Sequence, residues 1–169
     1  SLPNPISLLC ATALESVLSR LGIMEIRTTR FGPVRCRPDD VLLFEEGILG
    51  LAECRQWVLL ADVHNDAVAW LQSVDCPEVA LAVVSPRRFV PWFQMRVARR
   101  ELEPLELDEI GAARVLVIVS KTGRSVTLNL KAPLVLNLQR RLGRQVVTNG
   151  ELPVQYEVTG TTTPLKKSA

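Results

Sequence analysis

Ala67-Val68-Ala69-Trp70-Leu71-Gln72-Ser73 is the stretch whose reading decides the fold. One large aromatic stands among small and branched residues, the pattern of a buried β-strand with Trp70 in the core. A second apolar run, Val79 to Val84, follows the turn-forming Asp75-Cys76-Pro77. Two such runs joined by a loop of about five residues predict a hairpin. Outward from this pair, short β-patterned runs recur with turn signals between them. On the N-terminal side Met24, Ile26 and Thr28 alternate with Glu25, Arg27 and Thr29; Val34–Arg37, Val41–Phe44 and Trp57–Leu60 follow. On the C-terminal side come Gln94–Arg100, Val115–Val119, Val126–Leu130, Leu134–Leu138 and Gln145–Thr148. Helix signals are few: a turn over Ala52–Arg55 and a short helix near Leu105–Ile110. The pattern predicts an all-β protein, a small antiparallel β-barrel with one or two short helices.

The barrel domain is expected over residues 24–150. Before it, Leu14, Val17, Leu18 and Leu21 recur at helical spacing, with Pro5 near the start and Gly22 as a stop. Residues 1–23 read either as a helical N-terminal appendage or as a mis-assigned start with Met24 as the first residue. Residues 151–169 lose the core-like period and are expected to be a disordered tail.

Composition excludes several classes. Apolar residues make up 47% of the 169, enough for a folded core. Twenty basic and 18 acidic residues leave a net charge of +2, which demands no anionic partner. No apolar run reaches the roughly 18 residues of a membrane span. Ile6–Ala11 has no basic residue before it, and Glu15 ends the apolar stretch, so no targeting segment is expected. Cys10, Cys36, Cys54 and Cys76 show no C-x-x-C spacing, and His64 is the only histidine. Neither a zinc site nor a disulfide framework is indicated, and reduced thiols are expected.

Catalytic patterns are equally thin. His64 has no G-x-S-x-G partner, and Gly47-Ile48-Leu49-Gly50 lacks the Lys-Ser/Thr of a phosphate loop. Asp39-Asp40, Glu45-Glu46 and Asp108-Glu109 read as solvated turn charge. Arg87-Arg88, Arg96, Arg99-Arg100, Arg140-Arg141 and Arg144 are the more serious signal. Near Trp92 and Phe93 they offer an alternative reading, a small barrel that binds RNA through its arginines. Asn129, Asn137 and Gln145 are polar residues inside apolar strands. They either satisfy buried backbone groups or face a partner.

Five pieces in fixed order carry a resemblance. They are Ile26–Gly32, Phe44-Glu45-Glu46-Gly47-Ile48-Leu49-Gly50-Leu51, Trp70-Leu71-Gln72-Ser73, Asn129–Asn137 and Gly143–Val147. Together, over about 125 residues from Met24, they resemble the bacterial flagellar assembly factor FliW family. The resemblance implies a cytoplasmic, monomeric β-barrel that is not an enzyme, needs no cofactor and contacts neither nucleic acid nor membrane. It implies two protein partners: flagellin, held before export, and the translational regulator CsrA, whose repression of flagellin mRNA is relieved. The expected contact residues are Glu46, Gly47, Ile48, Leu49, Gly50 and Leu51, with Trp92, Asn129 and Asn137.

Overall fold

The computed structural model describes residues 5–159, with side chains described from residue 13 onward. A helix, α1, spans Pro5–Arg20. The strands are β1 (Met24–Thr28), β2 (Gly32–Cys36), β3 (Val41–Leu43), β4 (Gln56–Ala61), β5 (Val68–Ser73) and β6 (Ala80–Val84). A single helical turn, α2 (Pro86–Phe89), precedes β7 (Arg114–Thr122), β8 (Ser125–Leu128), β9 (Leu134–Asn137), β10 (Leu142–Gln145) and β11 (Tyr156–Glu157).

Seven strands close into a ring. Its order is β7-β6-β5-β4-β3-β10-β9, and β9 returns to pair with the first residues of β7. Every neighbour is antiparallel except β3 and β10, which meet in parallel through Leu43 and Leu142. The expected antiparallel barrel is thus closed by one parallel contact. Its interior is filled by Leu42, Phe44, Trp57, Leu71, Val83, Leu134 and Leu136. Each large apolar side chain so buried contributes about 1.5–3 kcal/mol. The β1–β2 hairpin lies outside the ring, with Ile26 and Cys36 packed on Val58 of β4.

The predicted strand over Gln94–Arg100 does not form. That segment is irregular, and the connection from β6 to β7 runs through 3₁₀ turns at Arg99–Glu101, Glu103–Leu105 and Ile110–Ala112. Its alternating apolar residues serve as a cover: Phe93 and Met95 pack over Val68, Val84 and Val117, while Leu105 lies against Val135 and Val146. No helix forms at Ala52–Arg55 either; the segment is a turn and an extended stretch. The basic segment after β9 turns only as far as Arg141, because Leu142–Gln145 is strand.

The start of the expected disordered tail is ordered. Tyr156 and Glu157 pair with Leu128 and Thr127, Leu130 N donates to Pro153 O, and Leu152 and Val158 join the apolar cluster over β7 and β8. Residues 160–169 of that expectation lie outside the described residues.

Trp57 is fully buried, but Trp70 is only half-buried. On the outer side of the barrel the Arg30 guanidinium lies 4.2 Å from the centre of the Trp70 ring, and Phe31 meets it edge-on at 5.8 Å. Trp70 Nε1 donates to Asp62 Oδ2 at 2.9 Å. That bond, with those from the backbone N–H groups of His64 and Asn65, holds the Asp62 carboxyl below its ordinary value. A depressed acid stabilises the fold above its unfolded value near 3.9, and that contribution is lost as pH falls through the folded value. We expect the indole emission to change on acidification below about pH 4. Asp62→Asn should abolish that transition at a stability cost under about 1 kcal/mol, because the pair is solvent-screened.

Candidate functional site

Between β3 and β4 the chain makes a double reversal at residues 45–51. Gly47 and Gly50 adopt φ of +70° and +83°, a region closed to most L side chains. At Gly47 space is short as well: a Cβ there would meet Ala52 Cα at 3.0 Å. Gly47 N donates to Phe44 O at 2.9 Å and Leu51 N to Ile48 O at 2.7 Å, so the loop is internally bonded.

The reversal sends the two apolar residues between the glycines in opposite directions. Ile48 is 3% exposed and joins the barrel core, whereas Leu49 is 89% exposed. Of that expected contact pair, therefore, only Leu49 is offered to solvent, and Ile48 is an anchor. Two residues of β10 hold the loop from the far end of the sequence. Gln145 Oε1 accepts from Leu49 N at 2.8 Å. Arg144 reaches Glu46 at 2.6 Å and Glu101 at 3.1 Å, with its side chain 16% exposed. Burial works against the charge on Arg144, but its bonds to the two carboxylates outweigh that and hold the guanidinium above its ordinary value. The result is a rigid, solvent-facing apolar tip flanked by the exposed carboxylate of Glu45. An arrangement of this kind suits contact with another macromolecule.

The remaining expected contacts divide. Trp92 is 58% exposed and meets Tyr156 edge-on at 6.0 Å, an aromatic pair standing on the cluster over β7 and β8. Asn137 is turned inward: Nδ2 donates to Leu105 O and Glu106 O, and Oδ1 accepts from Arg140 N. Asn129 is half-buried, and its Oδ1 accepts from Ala132 N at 3.0 Å, tying the bend before β9. For both asparagines the structure displays the backbone-satisfying role. Arg144 was not expected as part of this surface. The signal for Arg144 was its place in a basic run, where a single pairing partner cannot be told from local sequence.

A groove of about 420 Å³ lies outside the ring between β2 and β4. Its charged groups have partners: Arg35 pairs with Glu25, Arg141 pairs with Asp39, and the Asp40 carboxylate accepts from Arg37 N. His64 sits exposed in its connection, its backbone N–H bonded to Asp62. Of the clustered arginines, Arg88 pairs with Asp66 and Arg87 donates to Phe93 O. These two have separate local partners, a carboxylate and a backbone carbonyl.

Comparison with known proteins agrees with this architecture. A family model described as FliW protein matches residues 25–158. The flagellar assembly factor FliW of Bdellovibrio bacteriovorus is 40% identical over 126 residues, covering 73% of this chain and 72% of that protein. That of Syntrophus aciditrophicus is 34% identical over 138 residues, covering 80% and 87%. A crystal structure of the flagellar assembly factor FliW superimposes with a TM-score of 0.75 at 28% identity, covering 83% of this chain and all of that one. With the same closed barrel, and a match running from β1 through β11, this chain belongs to the FliW family of flagellar assembly factors.

Proposed function

We propose that this chain is a non-enzymatic cytoplasmic regulator that binds flagellin and, in exchange, the translational regulator CsrA. Free protein would accumulate when flagellin is exported, would sequester CsrA, and would so relieve repression of flagellin mRNA. Family membership supports this reading, and the observation that carries it to particular residues is the braced loop with Leu49 at its tip. An exposed leucine on a preorganised backbone loses little freedom on docking, so its contact is retained as affinity. Glu45 beside it is exposed and has no basic partner among the described residues, which favours a basic partner in the complex. Among the described residues no helix is long and apolar enough to cross a membrane.

Titration calorimetry with purified flagellin and with purified CsrA tests the proposal. A micromolar or tighter complex is expected with each, and heat with neither would sink it. Leu49→Asp should weaken at least one complex about tenfold, or about 1.4 kcal/mol, without lowering thermal stability. Trp92→Ala should leave that same complex within about twofold if Trp92 stands on a separate surface. Direct RNA binding has less support, because Arg88, Arg141 and Arg144 already face carboxylates. A salt-dependent shift of labelled RNA in the absence of CsrA would revive it.

A further inference from the structure

The segment leading into β4 and the turn leaving β5 each carry a cysteine, and the sheet sets them face to face. Trp57 pairs with Ser73 and Val58 with Gln72 in the β4–β5 ladder. Continuing that antiparallel register beyond Trp57 places Cys54 opposite Cys76. The chain keeps to the register past the last ladder pair. Val74 N donates to Gln56 O at 2.9 Å, and Asp75 Oδ2 accepts from Arg55 N and Gln56 N at 2.9 Å each. Ser73 Oγ accepts from Cys76 N at 2.9 Å and fixes the turn itself.

The two sulfurs are 2.9 Å apart, and both residues are free thiols. A disulfide needs about 2.0 Å between sulfurs and Cα atoms roughly 4.4–6.8 Å apart. Facing residues of antiparallel strands have Cα separations of about 4.5–5.5 Å, inside that range. Closure therefore requires only a small side-chain adjustment. Cys54 is fully buried and Cys76 half-exposed, so a reagent from solvent meets Cys76 first.

We infer that Cys54 and Cys76 form a redox pair that closes to an intramolecular disulfide on exposure to a low-molecular-weight disulfide such as oxidised glutathione. The Cys76 thiolate attacks one sulfur of the oxidant, forming a mixed disulfide and expelling one glutathione thiolate. The Cys54 thiolate then attacks the Cys76 sulfur and expels the second. Two protein thiols are oxidised, one glutathione disulfide is reduced to two thiols, and the two protons released by the cysteines end on the glutathione. The neighbouring Cys54 thiol, with burial, pushes Cys76 up to about 11. Little thiolate is present at neutral pH, so attack on the oxidant is slow. Once formed, the bond staples the base of the loop bearing Leu49, since Cys54 N already donates to Leu51 O at 3.0 Å.

The test uses the folded full-length chain, held with excess oxidised glutathione and compared with a dithiothreitol control. Thiol titration should fall from four to two per chain. Non-reducing peptide mapping should show a Cys54–Cys76 linkage, and Tm should rise by about 5 °C. Cys76→Ser should show neither the linkage nor the rise. The double variant C10S/C36S should show both, which excludes the other two cysteines as the source. The inference is overturned if oxidised wild type carries no Cys54–Cys76 peptide. It is overturned equally if the linkage forms only in urea-unfolded protein.

Discussion

Gly143→Ala is expected to lower the stability of this barrel by about 3 kcal/mol and its Tm by roughly 6–12 °C. Gly143 lies in β10 opposite Leu136 of β9. A single methyl group there would stand 2.2 Å from Phe44 Cε1 and 2.4 Å from Cζ. The Phe44 ring is fully buried and meets the fully buried Trp57 edge-on at 6.3 Å, so it has no direction in which to yield. Glycine is needed here for space alone, because its backbone is not in the left-handed region. The control follows from the same geometry. F44L removes part of the ring and should cost stability by itself, yet the F44L/G143A pair should be less damaged than the sum of the two. Denaturant melts of the four proteins check this. Wild-type stability in Gly143→Ala would refute it.

The second large effect is expected at Gln72. Its side chain is fully buried, and the two N–H groups of Nε2 are shared among Ser73 O, Pro77 O and Val79 O at 2.9, 3.2 and 3.1 Å. One amide thus clamps the entire β5–β6 turn. Through Pro77 O, which also accepts from Thr29 N, it steadies the β1–β2 hairpin. Gln72→Leu keeps the approximate volume and removes the donor, at a cost of about 2 kcal/mol. Gln72→Glu should cost more at neutral pH, because a buried carboxylate would face three carbonyl oxygens. Hydrogen exchange at the amides of Cys76 and Val79 should accelerate in both variants. Unchanged exchange with a normal melt would refute the clamp.

These residues also show how much the sequence disclosed. The strands were legible because their signal is local: alternation and β-branching mark β1, β5, β6 and β7 without knowledge of a neighbour. Gln94–Arg100 carried the same alternation and is no strand, because its apolar residues cover a sheet and pair with none. The order at Leu152, Tyr156 and Val158 was missed for the converse reason. A two-residue strand is too short to show a period, and its stability comes from the cluster it caps. Trp70 looked like core from its small neighbours, but burial depends on which face of β5 meets the interior. That side is set by Leu71. Within the candidate site, the glycines announced the reversal. The split between Ile48 inside and Leu49 outside, and the grip of Arg144 and Gln145, required tertiary contacts almost a hundred residues distant in sequence.

That distance bears on synthesis. The ring closes only when Leu142 reaches Leu43, and the tip at Leu49 gains its outer brace only when Gln145 arrives. Such closures are slow to form and late to form, since the intervening chain must first be ordered. A ribosome that has not yet released β10 therefore carries a chain whose loop lacks both its ion pair and its backbone anchor. The braced form of the loop that carries Leu49 is in this way completed only once β10 has been made.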